Sequence, residues 1–81
     1  MLVTVRLFAR LREIAGSPDL RLELPGGARV QDAWAILRSQ HPGLDAYSSS
    51  ISCAVNEEYA RMHAPLTDGD DIAFLPPVSG G

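Results

Sequence analysis

Alternating apolar and polar residues at the start of the chain predict a first strand at residues 2–8. Val3, Val5 and Leu7 share one face of that strand, which we expect to enter the core. Phe8 falls on the other face, beside a threonine and an arginine. It is therefore a large apolar side chain that the predicted strand points outward.

Spacings of three and four between apolar residues predict two helices. Residues 9–15 form a short one that ends at Gly16, and residues 30–40 form the main helix. The buried stripe of the main helix consists of Val30, Ala33, Trp34 and Leu37, with His41 at the next position of the spacing. Pro42 ends this helix, because proline cannot continue the hydrogen-bond ladder.

Further alternating segments, separated by turn residues, predict four more strands at residues 20–24, 51–55, 59–61 and 71–75. Asn56 begins the tight connection between two of them, where asparagine tolerates the left-handed conformation. The acids and the glycine of residues 68–71 predict a turn with solvated carboxylates.

Two strands, a main helix and three strands in 81 residues favour an α+β fold with one mixed sheet over one helix. We predict the β-grasp (ubiquitin-like) arrangement, in which the first and last strands are neighbours at the centre of the sheet. The predicted domain covers residues 1–75, and residues 76–81 form an extended, flexible C-terminal tail.

Composition excludes several classes of protein. A net charge of −3 argues against a nucleic-acid partner, and no apolar run approaches the roughly 20 residues that span a membrane. One cysteine cannot form an internal disulfide, and the first residues do not resemble a signal peptide, so we expect a cytoplasmic location. All seven basic residues are arginine, so the chain offers no side-chain amine for covalent chemistry.

Candidate catalytic and metal-binding residues have ordinary surroundings. Cys53 lies on the apolar face of its predicted strand, which favours a small buried residue over a reactive thiol. His41 and His63 lack the spacing and the further soft ligands of a zinc site, and residues 68–71 lack the spacing of a calcium loop. No phosphate-binding loop or hydrolase motif is present. We therefore expect no metal and no catalysis by the chain alone.

The C-terminal segment carries the most specific indication of function. Pro76 and Pro77 are stiff and extended, and the segment from Pro76 to the end can reach about 20 Å beyond the sheet. Gly80 and Gly81 have no Cβ and can thread a narrow active site of another protein. An ATP-dependent enzyme could convert the Gly81 carboxylate to an acyl-adenylate, open to attack by sulfide or by an amine. The alternative is an ordinary disordered terminus.

Outward apolar residues are predicted beside this tail. Alternation in the last strand turns Ile72 and Phe74 inward and Leu75 outward. If the first and last strands are neighbours, Phe8 and Leu75 fall on one face of the sheet where the tail departs, and Tyr59 is a third candidate. Such a cluster indicates a docking surface for a partner. The alternative is scattered surface hydrophobic residues, which are common.

Several of these stretches resemble the small-subunit (MoaD) family of molybdopterin synthases, within the MoaD/ThiS group of sulfur carriers. The similar stretches are residues 7–13 (LFARLRE) with Gly16, residues 54–56 (AVN) and residues 65–81 (PLTDGDDIAFLPPVSGG). The resemblance covers the whole chain, although residues 17–50 match by pattern only. Its most specific part is the Pro-Pro-Val-Ser-Gly-Gly ending.

This resemblance implies a β-grasp sulfur carrier. A ubiquitin-activating-like enzyme (the MoeB type) would adenylate Gly81 with ATP and magnesium, and a sulfur donor protein would supply the sulfur of a C-terminal thiocarboxylate. The large synthase subunit (the MoaE type) would receive the tail, which would pass sulfur to cyclic pyranopterin monophosphate to build the dithiolene of molybdopterin. The family assembly is a heterotetramer with a dimer of large subunits at its centre.

The resemblance also implies roles for single residues. Gly81 would be the reacting residue, with the slender Gly80 behind it, and Phe8 and Leu75 fall where the family has apolar partner contacts. The family often has an aromatic residue at the position of Leu75. The predicted partner-binding set is Phe8, Tyr59, Leu75, Pro76, Pro77 and Val78. Arg12 and Glu13 also match family positions, and we expect them to form local helix ion pairs.

Other functions remain open at this point. A sulfur carrier for thiamine thiazole synthesis or for tRNA thiolation would use the same chemistry with another acceptor enzyme. A ubiquitin-like modifier would instead join Gly81 to lysines of other proteins, and a plain interaction module would tolerate truncation of the tail.

Overall fold

The structure, a computed structural model, describes residues 1–77. Within these residues the chain forms five strands, two α-helices and one 3₁₀ helix, in this order: β1 (Leu2–Leu7), α1 (Ala9–Ala15), β2 (Asp19–Glu23), α2 (Val30–Gln40), the 3₁₀ helix (Pro42–Tyr47), β3 (Ser52–Val55), β4 (Glu58–Ala60) and β5 (Asp71–Leu75). Residues 78–81, which make up most of the predicted tail, lie outside the described residues.

Every predicted helix and strand is present, and α1, α2 and β5 have the predicted bounds. The placement of Phe8 inside the first strand was wrong. The strand ends at Leu7, because Ala9 takes a left-handed backbone with φ of 51° and turns the chain into α1. The 3₁₀ helix was not predicted; Pro42 ends α2 and also occupies the start of this next helix, where a missing N–H costs nothing.

The sheet has the order β2-β1-β5-β3-β4. β1 and β5 run parallel, with Leu7 opposite Phe74, and the other neighbouring pairs are antiparallel. The first and last strands are therefore neighbours inside the sheet, and the prediction of a β-grasp fold is confirmed.

The core fills the space between one face of this sheet and the two helices. Its largest fully buried side chains are Val3, Val5, Leu7, Leu11, Val30, Leu37, Leu44, Ile72 and Phe74. The Trp34 ring lies 5.0 Å from that of Phe74, and its Nε1–H donates to Ser48 Oγ at 3.0 Å. This contact joins the main helix to the central strand just before the tail.

The turn before β5 is hydrogen-bonded to β1 through the side chain of Asp68 and is held together internally by Asp70. Gly69 has φ of 87°, a conformation that favours glycine. Asp68 Oδ1 accepts a hydrogen bond from the Leu2 N–H at 2.7 Å, and Asp70 Oδ2 accepts one from the Thr67 N–H at 2.8 Å. The predicted turn is confirmed, and its carboxylates are hydrogen-bonded to the backbone besides meeting solvent.

The β3–β4 hairpin has two consecutive residues in the left-handed region, Asn56 with φ of 51° and Glu57 with φ of 70°. The prediction for Asn56 is confirmed. Its side chain also accepts from the Asp71 N–H and donates to Asp70 Oδ1, both at 3.0 Å, so it ties the hairpin to β5. Glu57 occupies the position where two-residue hairpins prefer glycine.

Replacing Glu57 with glycine is expected to raise the free energy of unfolding by about 0.5–1 kcal/mol, because relief of the left-handed strain exceeds the added entropy of the unfolded chain. Chemical denaturation followed by Trp34 fluorescence measures the change. Glu58→Gly is the matched control, since it puts glycine into extended β4 and should lower stability. Equal destabilisation by both variants would contradict the assignment of strain to Glu57.

Candidate docking site at the base of the tail

Parallel pairing of β1 and β5 brings the C-terminal ends of both strands to one edge of the sheet. Leu7 lies opposite Phe74, so the next residues along the two strands, Phe8 and Leu75, emerge side by side. Here the chain turns from β1 into α1, and here β5 passes into Pro76.

An open groove of about 650 Å³ lies at this edge. We call it the tail groove; its lining residues are Phe8, Ala9, Arg10, Tyr47, Leu75, Pro76 and Pro77. Its surface is mainly apolar, and Arg10 supplies the one charged side chain of the lining. The first two residues of the predicted tail thus form part of its wall, so a partner that fills the groove contacts the base of the tail.

Phe8 reaches the groove because of the backbone on either side of it. It is extended, with φ of −122° and ψ of 151°, and its carbonyl accepts the Leu11 N–H at 3.1 Å at the start of α1. Ala9 follows in the strained left-handed region, and Leu11 anchors the helix in the core. Phe8 is left 42% exposed.

The inward and outward alternation predicted for β5 is confirmed. Ile72 and Phe74 are fully buried, whereas Leu75 is half-buried and lies opposite Ser52 of β3. Pro76 is half-buried and Pro77 exposed, so the chain leaves the sheet gradually along the wall of the groove.

Three members of the groove were not predicted: Ala9, Arg10 and Tyr47. Tyr47 comes from the 3₁₀ helix, in which Leu44 is fully buried three residues earlier. That spacing of Leu44 and Tyr47 was a readable signal of a short helix, but no local pattern shows which strand end the helix packs beside.

Tyr59 does not line the tail groove. It lies opposite Ala54 on β4, two strands away from β5, and is 86% exposed on the outward face. Its role in partner binding stays a prediction. Val78, Gly80 and Gly81 lie outside the described residues, so the structure does not place them.

The thiol of Cys53 is buried, as expected for a structural residue. The side chain is 3% exposed, and its Sγ–H donates to the Ala60 carbonyl at 3.1 Å. Burial raises the pKa of the thiol, because desolvation disfavours the thiolate. The reactive form is therefore scarce near neutral pH.

Alkylation of Cys53 at pH 8 is expected to be at least about tenfold slower in the folded protein than in the unfolded chain. The labelling rate should rise only at higher pH than for a free thiol, because the pKa is shifted upward. A time course of iodoacetamide labelling, with and without denaturant, measures both effects. Equal rates in the two states would show that the thiol is accessible.

The remaining candidates have structural surroundings. The His41 N–H donates to the Leu37 carbonyl at 2.8 Å and closes α2, and the His63 carbonyl accepts from Arg29 Nη1 at 2.6 Å. In α1, Glu13 pairs with Arg10 at 3.9 Å, so the expected helix ion pair forms with a residue other than Arg12.

The described part of the chain holds neither a metal cluster nor a helix that could span a membrane. Residues 1–77 contain no group of three or more His, Cys, Asp or Glu side chains placed to hold a metal ion. None of the helices among these residues is long and apolar enough to cross a membrane.

The fold and the groove define a class: a ubiquitin-like β-grasp protein with an apolar groove where β5 passes into Pro76 and Pro77. The ThiS family model matches residues 5–81, and the chain belongs to this ThiS/MoaD family. The molybdopterin synthase sulfur carrier subunit of Arabidopsis thaliana is 40% identical over 79 residues, which cover 98% of this chain and 82% of that protein. Small archaeal modifier protein 1 of Haloferax volcanii is 37% identical over 84 residues, which cover 94% and 97%.

Solved structures agree with this assignment. The crystal structure of SAMP1 from Haloferax volcanii superposes with a TM-score of 0.89 at 35% identity and covers the whole of both chains. A chain of the complex of subunits 1 and 2 of molybdopterin-converting factor from Helicobacter pylori has a TM-score of 0.70 at 28% identity, again over both whole chains. The predicted resemblance to the sulfur-carrier group is confirmed.

Proposed function

We propose that this chain is the sulfur-carrier subunit of a molybdopterin synthase, and that its reacting group is the α-carboxylate of Gly81. The observation that carries the proposal is the tail groove, an apolar surface whose wall includes the first residues of a segment ending in Gly80-Gly81. The relatives named as sulfur carrier subunits, up to 40% identical, support the choice of reaction.

The groove suits a protein that must bind a partner and, at the same time, insert its C-terminal end into the partner's active site. A large synthase subunit (the MoaE type) that covers Phe8 and Leu75 removes apolar surface from water and grips the tail at its base. Pro76 and Pro77 are stiff, which hinders the base of the tail from folding back onto the sheet. The complex of subunits 1 and 2 from Helicobacter pylori supports such a partner.

The chemistry requires an activated carboxylate. A Gly81 oxygen attacks the α-phosphate of ATP on an activating enzyme (the MoeB type), magnesium assists, and pyrophosphate leaves. Sulfide released by the donor protein then attacks the acyl carbon, the C–O bond to AMP breaks, AMP leaves, and a thiocarboxylate remains. The thiocarboxylate sulfur attacks cyclic pyranopterin monophosphate, and water releases Gly81 as a carboxylate. A dithiolene contains two sulfurs, so each molybdopterin molecule needs two carriers that bear a thiocarboxylate. This requirement is consistent with a heterotetramer.

Intact mass spectrometry after incubation with the activating enzyme, ATP, magnesium and the sulfur donor tests this proposal. Replacing oxygen by sulfur changes the mass almost as much as oxidising one of the two methionines. Brief alkylation of the folded protein separates these cases, because Cys53 is buried and a thiocarboxylate at Gly81 reacts first. We expect alkylation at Gly81 after charging, and we expect it to disappear once the large subunit and cyclic pyranopterin monophosphate are added, because the sulfur has been transferred. A Gly81 carboxylate that never gains sulfur would reject the proposal.

A ubiquitin-like modifier is the second candidate, supported by the 37% identity to small archaeal modifier protein 1. In that case the activated Gly81 would appear in isopeptide bonds to lysines of other proteins. Carriers for thiazole formation or tRNA thiolation would form the thiocarboxylate but leave cyclic pyranopterin monophosphate unchanged. The same incubation therefore separates all three outcomes.

A further inference from the structure

We propose that Ala9 is a positioning residue: its left-handed backbone keeps the Phe8 side chain in the lining of the tail groove and so sets how tightly a partner binds there. The inference rests on the proposed function, in which that partner is the large synthase subunit. Ala9 has φ of 51°, where the Cβ of an L-residue crowds the following carbonyl oxygen. Strain of this kind persists only where the surrounding structure enforces it, and it is concentrated at functional sites.

Ala9 differs from the other non-glycine residues with a left-handed backbone among residues 1–77. These are Asn56 and Glu57, which form the two-residue turn of the β3–β4 hairpin, where positive φ is usual. Ala9 instead joins a strand to a helix, and its side chain is exposed, so packing of that side chain does not hold it. The cause of its conformation therefore lies in its neighbours.

Two buried leucines on either side impose this conformation. Leu7 ends β1 opposite Phe74, Leu11 belongs to α1, and both enter the same core. The chain must change from strand to helix within the three residues between them. Phe8 is still extended, and its carbonyl accepts the Leu11 N–H at 3.1 Å, so the change of direction falls on Ala9. Burial of the two leucines offsets the strain.

A less tolerant residue at position 9 would relieve the strain by displacing Phe8. Leu7 and Leu11 have the whole core to lose, whereas Phe8 is already 42% exposed and loses little contact when it moves. A partner that needs Phe8 in the groove would then have to restore the left-handed backbone on binding. The measured affinity would fall by the free-energy difference between the two conformations. Residue 9 thus controls affinity through its backbone.

Contact between the Ala9 methyl group and the partner is the rival explanation, because Ala9 also lines the tail groove. The two explanations predict opposite orders of affinity. Glycine and asparagine tolerate positive φ, whereas β-branched valine, which is similar in size to asparagine, does not. Positioning by the backbone predicts that glycine and asparagine keep the affinity and valine lowers it. Direct contact predicts that the larger apolar valine binds at least as well, and that glycine and asparagine bind less well.

The experiment uses Ala9→Gly, Ala9→Asn and Ala9→Val, each alone and combined with Phe8→Ser. Calorimetry with the isolated large subunit gives the dissociation constants, and chemical denaturation gives the stability of each variant. We expect Ala9→Gly and Ala9→Asn to bind within about threefold of the unchanged chain, and Ala9→Val at least about tenfold more weakly with a similar denaturation midpoint.

The double variants report on Phe8 itself. Phe8→Ser should weaken binding about 30-fold in the unchanged chain but only about threefold in the Ala9→Val chain, because no aromatic side chain is left to position. A 30-fold effect of Phe8→Ser in both chains would show that Ala9 acts independently of Phe8 and would overturn the inference.

Other outcomes are equally decisive. Equal weakening by Ala9→Asn and Ala9→Val would assign the effect to side-chain size in the groove and overturn the inference. Normal binding by Ala9→Val, or its failure to fold, would also overturn it, because the strain would not be relieved through Phe8. Phe8→Ser without effect in the unchanged chain would overturn the docking site and the inference with it. An unchanged chain that does not bind the large subunit at all would overturn the proposed function itself.

Discussion

Removal of Gly81 is expected to abolish sulfur transfer, with a fall of more than about 100-fold in molybdopterin formation. The reacting carbonyl would move back by one residue, about 3.5 Å, and would no longer meet ATP or the pterin at bonding distance. Addition of one residue after Gly81 should have an equal effect, because the glycine carboxylate becomes an internal amide. Product formation with the activating enzyme, sulfur donor and large subunit measures both variants.

The free energy of unfolding should not change in either variant, since the fully buried side chains lie between Val3 and Phe74. Ser79→Ala is the matched control: it alters the tail but keeps its length and its terminal glycine, and should retain activity. Sulfur transfer by the shortened chain would refute the role of Gly81. Loss of activity together with loss of stability would show that the tail contributes to folding.

Replacement of Phe8 by serine is expected to weaken binding of the large subunit by about 30-fold or more. Phe8 is an aromatic in the lining of the tail groove, and aromatic anchors buried at an interface commonly contribute about 2 kcal/mol or more. The folded state should lose little, because the side chain is already 42% exposed in the free chain. Calorimetry with the isolated large subunit measures the dissociation constant.

Leu2→Ser supplies the control for this variant. Leu2 is 45% exposed, close to the value for Phe8, but it begins β1 at the edge of the sheet away from the tail. Its substitution should leave binding unchanged. Tyr59→Ala measures how far the interface extends across the outward face beyond the groove. Equal weakening by Leu2→Ser and Phe8→Ser would show that the tail groove is not the docking site.

Much of the fold could be predicted from local patterns. The bounds of α1, α2 and β5 follow from apolar spacing and from the residues that end each element, Gly16 and Pro42 among them. The alternation in β5 correctly separated the buried Phe74 from the outward Leu75. These properties depend on neighbours within a few residues, and such neighbours are visible in a sequence.

The errors lie where backbone strain or distant packing intervened. The left-handed Ala9 ended β1 before Phe8, although alanine rarely adopts that conformation and nothing nearby indicates it. The 3₁₀ helix was missed because Pro42 had been interpreted only as the end of α2. Tyr59 does not line the tail groove, because β3 lies between β4 and β5, and the order of strands is a property of the whole sheet; its role in partner binding stays a prediction.

The sequence by itself determined the β-grasp elements, the lysine-free composition and the Gly80-Gly81 ending that indicates a sulfur carrier. Only the tertiary structure decided that Phe8, Tyr47 and Leu75 form one groove, because these residues come from three separate elements that meet through the parallel pairing of β1 with β5. It also decided that the Cys53 thiol is buried and bonded to the Ala60 carbonyl. Distances between residues far apart in the chain follow from packing of the core, and local hydrophobic spacing does not encode them.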